Sequence, residues 1–271
     1  MTGRRPITYA GTELNRRHFL AGLSLATLAG VGLARCTVGA QPRLAQAATA
    51  PVAPVVAVRL PLPGGGALSS IPGDGNLLAL TLDDGVSSDV VRLYTEFAKD
   101  TGVRLTYFVN GTYRSWTENR NLLRPLVESG QIQLGNHTWS HPDLATLPKD
   151  QVADQLRRNH QFLMRNYGVD ARPYFRPPYG SHNPVVDAVA AELGYTMPTM
   201  WSGSLEDQNV IGEDEIVKMA NKYFNPQGIV IGHLNHLPVT HVYGQLIDVI
   251  RSRNLQTVTL DDVFVKPERQ T

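Results

Sequence analysis

One cysteine occurs in 271 residues, Cys36, and it stands in an amino-terminal stretch that differs in composition from the rest. Neither a disulfide framework nor a cysteine-based zinc site can be built from a single thiol, so a metal centre here would have to use histidine and carboxylate. Charge is sparse as well: 18% of residues are charged, and 25 basic against 24 acidic side chains leave a net +1. No whole-chain electrostatic footprint for nucleic acid or an anionic membrane exists. Long hydrophobic runs are also missing. The longest apolar stretch, Phe19 to Ala34, has about 16 residues rich in Gly and Ala, short of the roughly 20 that span a bilayer. What is present is 42% hydrophobic residues, enough for one large core or two modest ones and too many for a disordered chain.

The apolar stretch has a different reading. Asn15-Arg16-Arg17-His18-Phe19-Leu20 places paired arginines directly before it, the pattern of a twin-arginine export signal. The small-residue site Ala45-Gln46-Ala47 puts the mature start near Ala48. Leu33-Ala34-Arg35-Cys36 resembles a lipoprotein site, but bulky Arg35 stands where a small residue is expected. The expectation is therefore a signal over residues 1–47 and a periplasmic, wall-associated or secreted product, with no membrane attachment unless Cys36 is lipidated. Six arginines and one acid, Glu13, fall within that signal, so the remainder holds 19 basic and 23 acidic residues and is mildly acidic. Residues 48–75, with Pro51, Pro54, Pro61, Pro63 and Gly64 to Gly66, read as a linker. The folded domain is expected over 76–266, with a tail at 267–271.

From Leu77 onward, short apolar runs alternate with helical periodicity. Leu77 to Leu82 reads as a buried strand ending at two aspartates and a glycine. Ser88 is the expected cap of a helix that carries Val90, Val91, Tyr94, Phe97 and Ala98 up to Gly102. Further strands are expected near Leu105–Val109, Gln131–Leu134, Pro173–Phe175, Thr196–Trp201, Ile229–Ile231 and Gln256–Thr259, with helices between them. The fold class is α/β: a distorted (β/α) barrel of about seven parallel strands forming a single domain, with an open doubly wound sheet as the alternative. In either case chemistry belongs at the carboxyl ends of the strands.

Polar clusters occur at those ends. Thr81-Leu82-Asp83-Asp84-Gly85 supplies two carboxylates that leave a strand in different directions, one free to bind a cation and the other to take a proton, or else forms a plain acidic turn. His137 and His141, four residues apart in Asn136-His137-Thr138-Trp139-Ser140-His141-Pro142, can converge on one metal. Phe175-Arg176-Pro177-Pro178-Tyr179-Gly180 can fix an arginine against a carboxylate or serve as an ordinary turn. Trp201 to Gln208 contains Asp207, and Ile231-Gly232-His233 ends a buried strand with a histidine.

In this order the five clusters resemble the motif pattern of the polysaccharide deacetylases, carbohydrate esterase family 4 or NodB-homology domains, over about Leu77 to Val263. The resemblance implies a distorted (β/α) barrel and a divalent metal held by Asp84, His137 and His141, zinc first, with cobalt, nickel or iron also suited to that donor set. It implies Asp83 as general base, oriented and held ionised by Arg176. The Tyr179 backbone N–H becomes an oxyanion donor and His233 the acid that protonates the departing amine, with Asp207 fixing its tautomer. The implied activity is removal of N-acetyl groups from amino sugars of peptidoglycan, chitin-like or related glycans. The alternatives are an O-acetyl esterase on xylan or another wall polysaccharide, or a catalytically silent glycan-binding domain. The expected partner is an acetylated glycan; no nucleic-acid motif is present. Gln208 departs from the family, which commonly has tryptophan there, and Gly232 is smaller than usual. Asn235, His236 and His241 add nearby polar groups without a role.

Overall fold

A computed structural model describes residues 58–266; the expected export signal, the first part of the expected linker and the expected tail at 267–271 lie outside the described residues. The elements run β1 (Leu77–Asp84), α1 (Ser88–Thr101), β2 (Leu105–Val109), α2 (Ser115–Glu118), α3 (Arg120–Glu128), β3 (Ile132–Asn136), α4 (Lys149–Tyr167), β4 (Tyr174–Phe175), α5 (Pro184–Glu192), β5 (Met197–Pro198), β6 (Gly203–Ser204), α6 (Glu213–Tyr223), β7 (Gly228–His233), α7 (Tyr243–Ser252), β8 (Gln256–Thr257) and α8 (Leu260–Val263).

All pairings among these strands are parallel, in the order β5-β4-β3-β2-β1-β7-β6, with β8 also on β1. The path curls into a half-barrel with helices packed outside, an α/β single domain rather than an open doubly wound sheet. Period-two alternation along β1 sorts its side chains. Leu78, Leu80 and Leu82 join the core under the helices, whereas Ala79 joins a second core inside the curl with Phe108, Tyr174, Met197 and Ile229. Thr81 and Asp83 continue that inner face upward, which delivers a carboxylate into the mouth of the barrel.

Three local expectations are corrected. The stretch Thr196–Trp201 is strand only over Met197–Pro198, with Thr199 bridged to Leu68, and a separate strand that was not expected, β6, follows at Gly203–Ser204. Ser87, not Ser88, caps α1; its Oγ accepts the Val90 N–H at 3.3 Å. The carboxyl-terminal half of the presumed linker is part of the domain. Leu68 N–H donates to Pro198 O (2.8 Å), the Met200 N–H to Leu68 O (2.7 Å), and the Ile71 N–H to Gln227 O (2.9 Å). The segment thus ties the chain after β5 to the start of β7 across the open side of the sheet. Leu68 and Ile71 fill the inner core, where each is almost wholly buried.

Ile71→Ala is accordingly expected to destabilise the domain by about 2–5 kcal/mol in urea unfolding, the usual cost of emptying a buried aliphatic site. A loss below about 1 kcal/mol would return this segment to linker status.

Candidate metal centre and active site

Asp83 and Asp84 end β1, and the backbone turns sharply there: Asp84 has φ 76° and Gly85 φ 101°. Trp116 packs so closely that a Cβ on Gly85 would lie 2.4 Å from its ring, so only glycine fits. The Asp84 carbonyl accepts hydrogen bonds from Trp116 Nε1 (3.1 Å) and the Asn110 N–H (3.2 Å), and Ser115 Oγ donates to the Gly85 carbonyl. These ties hold Asp84 in the left-handed region. One oxygen of each carboxylate then approaches His137 Nε2, Asp83 Oδ2 at 3.5 Å and Asp84 Oδ1 at 3.4 Å.

The histidines arrive from β3. His137 follows Asn136, the last residue of that strand, and His141 closes the next turn at φ 61°. The turn is held by Thr138, whose N–H donates to Asn136 Oδ1 (2.9 Å) and whose Oγ1 accepts the His141 N–H (3.1 Å). Behind it lies a buried amide network. Asn159 on α4 donates to Asn136 Oδ1 (2.8 Å) and to the Val109 carbonyl (2.7 Å), and accepts the Gly111 N–H (2.8 Å), while Asn110 donates to the carbonyls of His137 and Thr138.

Three donor atoms converge as a result. Asp84 Oδ1 lies 3.4 Å from His137 Nε2 and 3.3 Å from His141 Nε2, and one donor atom from each residue falls within 4.8 Å of the others. His137 Nδ1–H donates to the Arg176 carbonyl at 2.7 Å, which commits the proton to that nitrogen and leaves the Nε2 lone pair facing the cluster. Asp84 Oδ1 is buried without a hydrogen-bond partner. An orphaned carboxylate oxygen beside two imidazole nitrogens is what a divalent cation would satisfy. Burial works to raise the Asp84 pKa, but the neighbouring His137 and His141 and the hydrogen bond from Asn235 outweigh it and hold the carboxyl well below the usual range. Burial and the neighbouring His137 lower the pKa of His141, favouring the neutral form that a metal needs. The residues present fit a metal.

Arg176 leaves β4 into the barrel interior and is fully buried. Its Nη1 donates to Asp83 Oδ1 (2.7 Å) and to Thr81 Oγ1 (2.8 Å), its Nε to the Thr199 carbonyl (2.9 Å) and its Nη2 to that of Met200 (3.1 Å). The guanidinium sits 4.2 Å from the centre of the Phe108 ring. Asp83 Oδ1 is thereby occupied, and Oδ2 faces His137 Nε2 at 3.5 Å and the cleft. Tyr179 takes φ 61° in the turn that follows, its ring edge-on to His141 at 4.6 Å.

His233 ends β7, in register with Asp83 on neighbouring β1. Its Nδ1–H donates to Asp207 Oδ1 (2.9 Å) and its backbone N–H to Asp207 Oδ2 (3.2 Å), so one carboxylate fixes both ring and main chain. A Cβ at Gly232 would meet Leu82 at 2.9 Å and Leu205 at 3.1 Å, so the small residue gives these two leucines room beside β7, while Asp207 Oδ2 at 3.5 Å would be in ordinary contact. Burial pushes the His233 pKa down, but the hydrogen bond it donates to Asp207 and the charges of Asp207, Asp83 and Asp84 outweigh it and lift the pKa above the ordinary histidine value.

All eight residues singled out in the sequence thus meet around one cleft of about 570 Å³, lined by Asp83, Asp84, His137, His141, Tyr179 and His233, with Arg176 and Asp207 buried behind it. Among the described residues, seven non-glycines have positive φ; four of them (Asp84, His141, Tyr179, Glu206) line this cleft and a fifth, Thr138, lies in the turn that carries His141, where strained backbone is retained for what it positions. Gln208 is exposed on the rim, its carbonyl 3.2 Å from His236 Nε2, and apolar lining comes from Val86, Pro177, Trp201 and Ile231. His241 pairs with exposed Glu213 at 2.6 Å. The supporting residues Thr81, Asn110, Asn136 and Asn159 were not singled out beforehand.

Residues 70–198 match the family described as polysaccharide deacetylase. A peptidoglycan-N-acetylglucosamine deacetylase of Listeria monocytogenes is 29% identical over 191 residues, covering 69% of this chain and 38% of that protein. A bifunctional xylanase/xylan deacetylase of Cellvibrio japonicus is 27% identical over 178 residues, covering 66% of this chain and 26% of its own length. This chain therefore spans well under half of those relatives. The structure of a chitin deacetylase from Colletotrichum lindemuthianum superposes with a TM-score of 0.67 at 25% identity, over 77% of this chain and 96% of that one. With the five clusters gathered at the mouth of a parallel half-barrel and these matches along its length, the chain carries a polysaccharide deacetylase domain of carbohydrate esterase family 4.

Proposed function

We propose that this domain is a metal-dependent deacetylase that hydrolyses N-acetyl groups on amino sugars of a wall glycan such as peptidoglycan or a chitin-like polymer. The observation that supports this most is the disposition of proton-handling groups: Asp83 and His233, register partners on neighbouring strands, line one cleft together with the Asp84, His137 and His141 donors. A divalent ion held by those donors would polarise an acetyl carbonyl and acidify water near neutral pH. Zinc suits two imidazoles and a carboxylate, and cobalt, nickel or iron share that preference.

The chain's own groups divide the remaining work. Asp83 Oδ2, left free because Arg176 occupies Oδ1, takes the proton of the attacking water. The Tyr179 N–H donates to the oxyanion that develops on the carbonyl oxygen, a contact of the kind worth about 3 kcal/mol. His233, its Nδ1–H engaged by Asp207, delivers the Nε2 proton to the departing nitrogen. An amine leaves poorly unless protonated, which is why an acid stands apart from the base. A second reading, O-acetyl hydrolysis on xylan or a similar polymer, draws on Gln208, whose exposed amide leaves that part of the rim open to a different acyl neighbourhood. The complete set of base, acid and metal donors argues against a silent glycan-binding domain.

Acetate release from chito-oligosaccharides, peptidoglycan and acetylated xylan, by metal-stripped protein reloaded with single metals, tests the reading. Activity is expected on the N-acetylated glycans and only after metal is restored. His137→Ala or His141→Ala should weaken zinc binding by more than about 100-fold, beyond the loss typical of an outer partner. Stoichiometric zinc retained by both variants after dialysis, or activity independent of metal, would overturn it.

Export by the twin-arginine route is part of the proposal and rests on Arg16 and Arg17 before the apolar stretch. No helix among the described residues is long and apolar enough to cross a membrane. Arg16→Lys with Arg17→Lys should retain the precursor inside the cell. Sequencing the exported amino terminus should read a start close to Ala48, and a lipid-modified Cys36 would replace the soluble form with an anchored one.

A further inference from the structure

Asp84 is held by two separate sets of contacts. Trp116 and Asn110 tie its backbone carbonyl, but neither touches the carboxylate. The torsion that turns a carboxylate plane is soft and broad, so a fixed backbone does not by itself aim the oxygens. The group that reaches the carboxylate is Asn235, two residues beyond His233, whose Nδ2 donates to Asp84 Oδ2 at 2.6 Å. The other end of the same amide is also engaged: Asn235 Oδ1 accepts the Val86 N–H at 3.3 Å. Asn235 is therefore clamped between the loop after β1 and the loop after β7, and its orientation is set, because only the NH₂ end can donate to a carboxylate and only the oxygen can accept from Val86.

The two Asp84 oxygens consequently differ. Oδ2 is committed to Asn235, while Oδ1, buried and without a partner, faces both His137 and His141. We propose that Asn235 is a positioning residue for the metal centre: it fixes the Asp84 carboxylate plane so that a single oxygen is presented beside the two histidines. The inference rests on the reading of Asp84, His137 and His141 as metal donors. One-oxygen presentation keeps positions free for water and substrate, which a catalytic site requires and a carboxylate binding through both oxygens would take away. Partners of this outer kind typically matter 10–100-fold in affinity or activity.

The test measures zinc dissociation constants by chelator competition for the unaltered protein, Asn235→Ala and Asn235→Leu, together with thermal melting of each metal-free form. Asn235 lies on a half-buried loop, and leucine keeps its branched shape while removing the donor. Both variants are expected to bind zinc about 10–100-fold more weakly, with metal-free melting unchanged. Affinity within twofold of the unaltered protein in either variant would overturn the role, and so would loss in Asn235→Ala restored by leucine, since packing rather than the hydrogen bond would then be at work. If the unaltered protein itself holds no zinc, the metal centre fails along with this inference; if it holds zinc and the variants match it, only the role of Asn235 fails.

Discussion

Replacing Asp83 by asparagine is expected to lower kcat on an N-acetylated oligosaccharide by about 10²–10⁴-fold, the range a positioned proton acceptor supplies, while zinc stays bound. The amide keeps an oxygen for Arg176 to reach and sits outside the trio whose atoms converge. What it loses is basicity at the position that faces the cleft. The change also leaves the wholly buried Arg176 opposite a neutral group. Burial lowers the pKa of that guanidinium, with Asp83 opposing the shift, so a stability loss of up to about 3 kcal/mol should accompany the kinetic one. Thr81, the carbonyls of Thr199 and Met200, and the Phe108 ring still receive Arg176, which is why the variant should remain folded. Zinc stoichiometry, kcat and melting measured on one preparation separate these effects. Near-normal turnover would end the division of labour between the paired carboxylates.

The candidate site residues were legible because each lies in a contiguous cluster at or just after the end of a strand, where a change from apolar to polar composition marks the boundary. Asp83, Asp84, His137, Arg176, Asp207 and His233 all follow that rule. The residues that hold them were not legible. Asn159 sits within the helical repeat of α4, 23 positions from Asn136, and nothing in its local sequence distinguishes it from a solvated asparagine. Asn235 was visible as a polar group near His233, but its partner is 151 residues away. Contacts of that separation are created by the parallel order of β1 and β7, and local pattern carries no trace of them.

The fold divides in the same way. Strands with five or more residues, such as β2 over Leu105–Val109, announce themselves by unbroken burial on both faces. The two-residue strands β5 and β6 are too short for any period to register, and Pro198 and Gly203 argue locally against strand. Proline and glycine likewise disguised the segment before β1. Leu60, Leu68 and Ile71 are isolated apolar residues in a breaker-rich stretch, and they become structural only because the half-barrel leaves an open side for them to cover.

His233→Ala is expected to slow amide hydrolysis by about 10²–10⁴-fold and to affect hydrolysis of an activated aryl acetate far less, because a phenolate departs without a proton. Polarisation of the carbonyl is common to both substrates, so the ratio isolates acid catalysis. Asp207 then offers a test through pH. In the proposed mechanism the acid form of His233 is the active one, and its raised pKa keeps that form available further into the alkaline range than an ordinary histidine would. The hydrogen bond at 2.9 Å from Nδ1–H to Asp207 is the largest contribution on that side. Asp207→Asn removes the charge, so the pKa should fall and the alkaline limb of the amide profile should move to lower pH. The aryl acetate profile should keep its alkaline limb, since no proton is delivered there. Equal losses on both substrates in His233→Ala, with an unmoved limb in Asp207→Asn, would make His233 structural and send the search for the acid to His236, whose Nε2 lies 3.2 Å from the Gln208 carbonyl, and then to His241.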